Sequence, residues 1–333
     1  MTAAEAQSRN NHPAIRRISI VAPVYNEEES LGHLHEQIAE ALDPLDLEAE
    51  IILVNDGSRD GTEDVLDALA AKDDRVVAVH LRRNFGQSPA MAAGFDQATG
   101  DAVIAMDADL QNDPADIPML LDKLREGYDV VSGWRVDRKD KWLTRRLPSS
   151  VANWLISTIT GVHLHDYGCS LKAYRREVLA DVKLYGDMHR FIPALAHWAG
   201  GRITEVPVNH HARQYGVSKY GLGRAFRVIL DLITVKFLLS YSTKPIQVFG
   251  PWGLGSGFVG CMICLYLAVV KFGFGQDIGT RPLLLVGILL IFMGGQFITL
   301  GLLAELQART YYESVGRPVY ALRRVVDSRN KES

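Results

Sequence analysis

Residues 101–114 read DAVIAMDADLQNDP: a short apolar run, two aspartates one residue apart, and a polar turn that ends in proline. The run DAVIAM has the length and branched apolar content of a buried strand. Asp107 and Asp109 therefore fall in the loop at its carboxyl end. Carboxylates so close repel one another, and a cation or a set of donors is needed to keep them together. A hard divalent ion, Mg2+ or Mn2+, takes oxygen ligands, bridges to a diphosphate and neutralises its charge. The Asp-x-Asp spacing by itself also occurs in turns and helix caps. Its position directly after a strand is what singles it out.

Outward from this stretch, strands and helices alternate. ISIVAPV (18–24) precedes EESLGHLHEQIAEAL (28–42), EIILVND (50–56) precedes DGTEDVLDALAAK (60–72), and RVVAVHLR (75–82) precedes GQSPAMAAGFDQAT (86–99). After DAVIAMD come PADIPMLLDKLREG (114–127) and DVVSGW (129–134). This order predicts an α/β fold with a Rossmann-like, mostly parallel, doubly wound sheet and a nucleotide at the carboxyl ends of its strands. Polar clusters follow those strands: Tyr25, Asn26 and Glu27 after the first, Asn55, Asp56 and Gly57 after the second. Beyond residue 135 the pattern loosens into a helix over 142–160, a loop over 161–170 and a strand over 202–211.

The chain has 333 residues and a formal charge of −3, unevenly spread. No residue is charged between Lys244 and Lys271 or between Arg281 and Glu305. Each gap exceeds the ~20 apolar residues that span a bilayer. Residues 245–305 thus read as a transmembrane hairpin with spans at about 246–270 and 282–304. Before it, residues 219–244 combine Phe226, Ile229, Ile233 and Phe237 at helical spacing with Lys219, Arg224, Arg227, Lys236 and Lys244, the pattern of amphipathic juxtamembrane helices. After it, residues 306–333 read as a basic cytoplasmic tail. By the positive-inside tendency, these basic flanks predict that both termini and the large domain (18–218) lie in the cytosol, on an integral membrane protein of a bacterial inner-membrane type. Residues 1–17 form a polar tail without the apolar core of a signal peptide. The three cysteines cannot make a disulfide framework. Cys261 and Cys264, in CMIC, read as small packing residues of a span.

PVYNEE (23–28), VNDGSRDGT (54–62), LRRNFGQSPAMAAGF (81–95) and MDADLQNDP (106–114) together, in this order and spacing, resemble family 2 glycosyltransferases of the GT-A fold over about residues 17–220. YGCSLKAYRRE (167–177), HRFIP (189–193), ARQYGVSKYGL (212–222) and the terminal hairpin are similar to the branch that holds dolichol-phosphate mannose synthases and undecaprenyl-phosphate sugar transferases. The resemblance implies a hexosyltransferase that inverts the anomeric carbon while moving one sugar from a nucleotide-diphosphate donor, UDP-glucose or GDP-mannose in type, to a polyprenyl phosphate, undecaprenyl or dolichyl. It implies that Pro23, Tyr25, Glu27 and Asp56 hold base and ribose. Asp107, Asp109 and Gln111 would surround Mg2+ or Mn2+ and the diphosphate, with Asp109 counted among the catalytic groups. Arg135 would lie near a donor or acceptor phosphate, and Arg213, Ser218 and Lys219 would close over the phosphates. Asp166 matches the acidic residue proposed as base in this branch. A polyprenyl phosphate is already anionic, so Asp166 is equally read as capping its turn or binding a nearby arginine.

Two departures stand out. The Gln-x-x-Arg-Trp motif of processive synthases is absent, with HRFIP in its region, and Gln87 stands after NFG where a lysine or small residue is expected. GLGSGFVG (253–260) lacks a preceding strand and reads as helix packing rather than a dinucleotide loop. His163 and His165 with Asp166 lack the further ligands of a zinc site. Gly253 and Gly257, or Gly294 and Gly295, offer faces for self-association into a homo-oligomer. The expected partners are donor, lipid acceptor and bilayer, and no nucleic acid. Two rival readings keep the fold: a different acceptor, diacylglycerol or protein, and a non-catalytic scaffold that senses sugar nucleotides.

Overall fold

The computed structural model describes residues 13–136, 153, 156–158, 160–180, 188–211, 246–279, 281–314 and 320–330. The expected juxtamembrane helices at 219–244, and most of the helix expected at 142–160, lie outside them. The chain divides into two compact units, one of residues 1–235 and 318–333 and one of residues 236–317.

The first unit is built on strands β1 (Arg17–Val24), β2 (Glu48–Asn55), β3 (Val76–Leu81), β4 (Ala102–Ala105), β5 (Val130–Trp134), β6 (Lys172–Arg175), β7 (Ile203–Pro207) and β8 (Leu322–Asp327). They form one sheet in the order β7-β5-β6-β4-β1-β2-β3-β8. Pairing is parallel from β4 through β1 and β2 to β3, and between β5 and β7. It is antiparallel where β6 joins β4 and β5 and where β8 joins β3. Helices α1 (Leu31–Leu42), α2 (Thr62–Lys72), α3 (Gln87–Gln97) and α4 (Ile117–Arg125) fill the crossovers, and α5 (Arg176–Ala180) and α6 (Ile192–Trp198) follow. One core takes alternate residues of β1 (Ile18, Ile20, Ala22, Val24) together with Leu31, Leu34 and Ile38 of α1 and Leu120, Leu121 and Leu124 of α4. That alternation follows from the pleat, and the strands buried on both faces are continuously apolar.

Two strands differ from the sequence reading. KAYR, to which the sequence reading assigned no element, forms β6 with Lys172 and Arg175 buried in it. The tail at 306–333 contains β8, so these residues return to complete the sheet edge at β3. Backbone pairing with β3 and ion pairs from Arg323 and Arg324 to Glu63 hold it there.

The second unit is an antiparallel hairpin of α7 (Ile246–Phe274) and α8 (Pro282–Ser314). Its apolar stretches Phe249–Phe274 and Pro282–Ala304 are long enough to cross a membrane. Trp252 and Phe272 are 72% and 84% exposed, which in water would be costly. The helices touch through glycine. A Cβ on Gly253 would lie 2.8 Å from the Gly294 carbonyl oxygen, and one on Gly260 2.6 Å from that of Gly287. Gly257 also lies against Gly294. Gly253, Gly257 and Gly294 of the four glycines read as self-association faces thus meet within the hairpin, while a Cβ on Gly257 or on Gly295 would enter open space. Cys264 packs against Gly287, in keeping with its reading as a small packing residue.

Candidate functional site

Strand order reverses between β4 and β1, so the loops after them diverge and leave a crevice at their carboxyl ends. Asp107 and Asp109 follow β4 there, while Tyr25 to Glu27 follow β1 and Asp56 follows β2. Pro23 lies opposite Val54 in the parallel register, one residue short of the β1 tip.

Asp107 accepts a hydrogen bond from Gln87 Nε2 at 2.6 Å and another from the Ser170 hydroxyl. Burial raises its pKa and the neighbouring Asp109 raises it further, against the pull of Ser170, Lys172 and Arg135. Asp109 Oδ1 accepts from the Gln111 backbone N–H at 3.2 Å. Between them Leu110 holds φ +58, a left-handed conformation that costs a non-glycine residue about 1 kcal/mol. The loop is thus held bent at the place where two like charges meet, a combination typical of sites built for a ligand. The chain returns to this loop at residues 208–211: Asn209 bonds Asp116, and the His211 N–H donates to Gln111 O at 2.9 Å. His211 also reaches Asp113.

Asp56 accepts from the backbone N–H groups of Phe85 (2.7 Å) and Gly86 (2.9 Å). Burial pushes its pKa up to about 6 even against those bonds. Gly57 is indispensable beside it, at φ +65 with a notional Cβ 2.4 Å from the Arg83 backbone. The facing loop is also held: Glu27 N–H bonds Thr62 Oγ1, and Ser30 Oγ donates to Glu27 Oε2. Ser88, after Gln87, lies 2.8 Å from His189 Nδ1, which joins the HRFIP motif to the start of α3. Burial pushes His189 down to about 3, so it stays neutral.

Arg135 forks onto Asp166, Nε to Oδ2 at 2.7 Å and Nη2 to Oδ1 at 3.0 Å. Burial works against the guanidinium charge, and Asp166 more than offsets it. Asp166 Oδ1 also accepts from the Gly168 N–H. Asp166 thus binds Arg135 and caps its own turn at once. Behind the turn, buried Lys172 donates through Nζ to the carbonyls of Cys169 and Tyr167. Burial lowers its pKa. Sequence reasoning missed Lys172, Ser170, Ser88 and the Gln87 contact with Asp107. Their shared signal is a polar residue adjoining a motif already noted. Arg213, Ser218 and Lys219 lie outside the described residues. His165 bonds Glu205 and stacks on Trp134 at 4.3 Å.

The side chains suit a hard divalent cation, because the candidate donors are all oxygens and the charge of Asp109 raises the pKa of Asp107. Among the described residues no three His, Cys, Asp or Glu gather into a fuller metal site. A cation here would take its remaining ligands from a diphosphate and water, as Mg2+ commonly does.

Residues 19–183 match the model of glycosyl transferase family 2. The chain is 48% identical over 321 residues to a dodecaprenyl-phosphate galacturonate synthase of Rhizobium johnstonii, covering 94% of each. It is 42% identical over 316 residues to an undecaprenyl-phosphate 4-deoxy-4-formamido-L-arabinose transferase of Pseudomonas fluorescens, covering 94% of this chain and 91% of that one. In fold it is similar to glucosyl-3-phosphoglycerate synthase from Mycobacterium tuberculosis, solved with Mn2+ and UDP-glucose. That likeness has a TM-score of 0.50 and 21% identity, over 71% of this chain and 83% of the other.

Proposed function

Since the chain belongs to glycosyl transferase family 2 and is a glycosyltransferase, we propose that it moves one sugar from a nucleotide-diphosphate donor to a polyprenyl phosphate. The observation that carries this reading is the Asp107–Asp109 pair at the β4 tip, set in a chain whose curated relatives of similar length are named for transfer to polyprenyl phosphates. Pro23, Tyr25, Glu27 and Asp56 receive the base and ribose. Asp107, Asp109 and Gln111 hold Mg2+ or Mn2+, which when bound supplies charge to the departing diphosphate. The fold neighbour solved with Mn2+ supports that choice.

An oxygen of the lipid phosphate attacks the anomeric carbon as the bond from that carbon to the diphosphate breaks, with inversion. The attacking group is already anionic, so no proton has to be removed. Asp166 holds the Nε–Nη2 edge of Arg135, which fixes the guanidinium so that its remaining N–H donors serve a phosphate. Arg213, Ser218 and Lys219, which follow His211 in sequence, supply further groups for the phosphates. The hairpin crosses the bilayer and leaves the site on the cytoplasmic side, where its basic flanks belong.

For the sugar, the relatives' names favour a modified glycosyl group over the glucose or mannose expected at first. We take galacturonate as the leading choice because that relative is 48% identical. The full chain in nanodiscs, given undecaprenyl phosphate, Mg2+ or Mn2+, and a panel of UDP-galacturonate, UDP-glucose and GDP-mannose, should yield a mild-acid-labile glycosyl phosphate lipid, detected by mass spectrometry. Transfer only to added diacylglycerol would overturn the acceptor. A product only from GDP-mannose would overturn the sugar.

A further inference from the structure

The carboxyl-terminal strand is joined to the crevice loops by an unbroken series of hydrogen bonds. Arg324 on β8 donates through Nη2 to Asp67 and to Glu63, both on α2. Asp67 Oδ1 lies 3.0 Å from His80 Nε2 on β3, and His80 Nδ1 lies 3.2 Å from Asn55 Nδ2 at the tip of β2. Asn55 Oδ1 accepts from the Ser58 N–H at 2.8 Å. The Ser58 hydroxyl accepts from the Asn26 N–H at 3.0 Å, and Asn26 Oδ1 accepts from the Arg59 N–H at 2.9 Å.

Only one hydrogen assignment satisfies every member. The Asn55 carbonyl oxygen is taken by Ser58, so its amide NH2 must face His80. His80 Nδ1 then accepts, and its hydrogen sits on Nε2, aimed at Asp67. His80 is 1% exposed, and burial lowers its pKa toward this neutral form. The charged groups that act on it are Asp67 and Glu63 of α2 and Arg324 of β8. At the far end Asn26 sits at φ +55, a conformation that needs outside support to persist.

We propose that Asp67, His80 and Asn55 are positioning residues for the nucleotide: they hold the loops at 25–27 and 55–58 in the shape that receives base and ribose, with Arg324 fixing the outer end. This rests on the reading of those loops as the nucleotide site. Without the imidazole, the Asn55 NH2 loses a buried partner, its amide is free to turn, and Ser58 N–H and Asn26 lose their register.

The test uses the full chain in detergent and measures UDP and GDP binding by calorimetry, with kcat and KM for donor and acceptor separately. His80→Phe, close in shape but unable to hydrogen-bond, should raise nucleotide Kd and donor KM roughly tenfold, with kcat and acceptor KM within about twofold. Asp67→Leu, at the more exposed end, should act in the same direction. His80→Gln, which can both donate and accept, should recover part of the loss. Val79→Ala, in the same buried strand but with no hydrogen-bonding side chain, should lower thermal stability and leave Kd unchanged. Unchanged Kd in His80→Phe and Asp67→Leu would overturn the proposal, as would an equal rise in Val79→Ala. If the unaltered chain binds neither UDP nor GDP, the reading of the loops beneath it falls as well.

Discussion

Glu50, buried near the start of β2, and Asp107, half-buried in the loop after β4, lie toward opposite ends of one sheet with β1 between their strands, and they have opposite fates. Glu50 begins the buried part of β2 and accepts from Ser19 Oγ (2.6 Å), from Thr99 N–H (2.7 Å) and from Thr99 Oγ1, with Arg17 and Arg329 beside it. Burial raises its pKa, and those donors outweigh burial, so the net direction is down. Asp107 ends β4 with fewer donors and a second carboxylate next to it, and its net direction is up. A buried charge that its own fold satisfies is scaffold. One left short of compensation is prepared for something the fold does not contain.

The comparison breaks first at the crevice. Asp109→Ala should cost at least about 10³-fold in kcat while Tm changes little, since relief of the repulsion with Asp107 offsets the lost hydrogen bond from the Gln111 N–H. A folded variant with undiminished turnover would show that the pair has no part in the chemistry. Next in size, Arg135→Lys should cost about 10- to 100-fold in kcat/KM, because an ammonium cannot fork onto Asp166 and a phosphate together. On the scaffold side, Glu50→Gln should cost about 2 kcal/mol in urea unfolding and leave turnover near that of the unaltered chain. The smallest effect concerns Asp56. Its folded pKa of about 6 exceeds the ordinary 3.8, so its contribution to stability is full below pH 3.8 and is lost as pH rises to about 6. The Asp56→Asn variant should therefore gain about 1 to 2 kcal/mol relative to the unaltered chain between pH 4 and 7, read from unfolding curves at both. Glu50, with its pKa lowered, contributes in the opposite sense: its share is present above pH 4.5 and fades on acidification.

The parallel half of the sheet was legible because β1 to β4 are buried on both faces and so are written as branched apolar runs between Asp- and Gly-rich turns. The polar tips of those strands marked the crevice for the same reason: nothing about burial calls for acids there. β6 and β8 escaped notice because their identity comes from partners far along the chain. Lys172 is tolerated in β6 by the carbonyls of the preceding turn, and LRRVVD becomes a strand only against β3. Likewise the Arg135–Asp166 fork spans 31 residues and forms only because β5 and β6 are neighbours. Local spacing carries no trace of such pairings.

β8 also sets an order of events during synthesis. Leu322 follows the end of α8 in the chain, so both apolar helices leave the ribosome before the strand that covers the β3 edge exists. Until then β3 presents unpaired N–H and C=O groups, an invitation to intermolecular pairing. Completion of the sheet thus waits until the whole hairpin has been synthesised, and a chain cut short within the hairpin keeps an open, adhesive β3 edge.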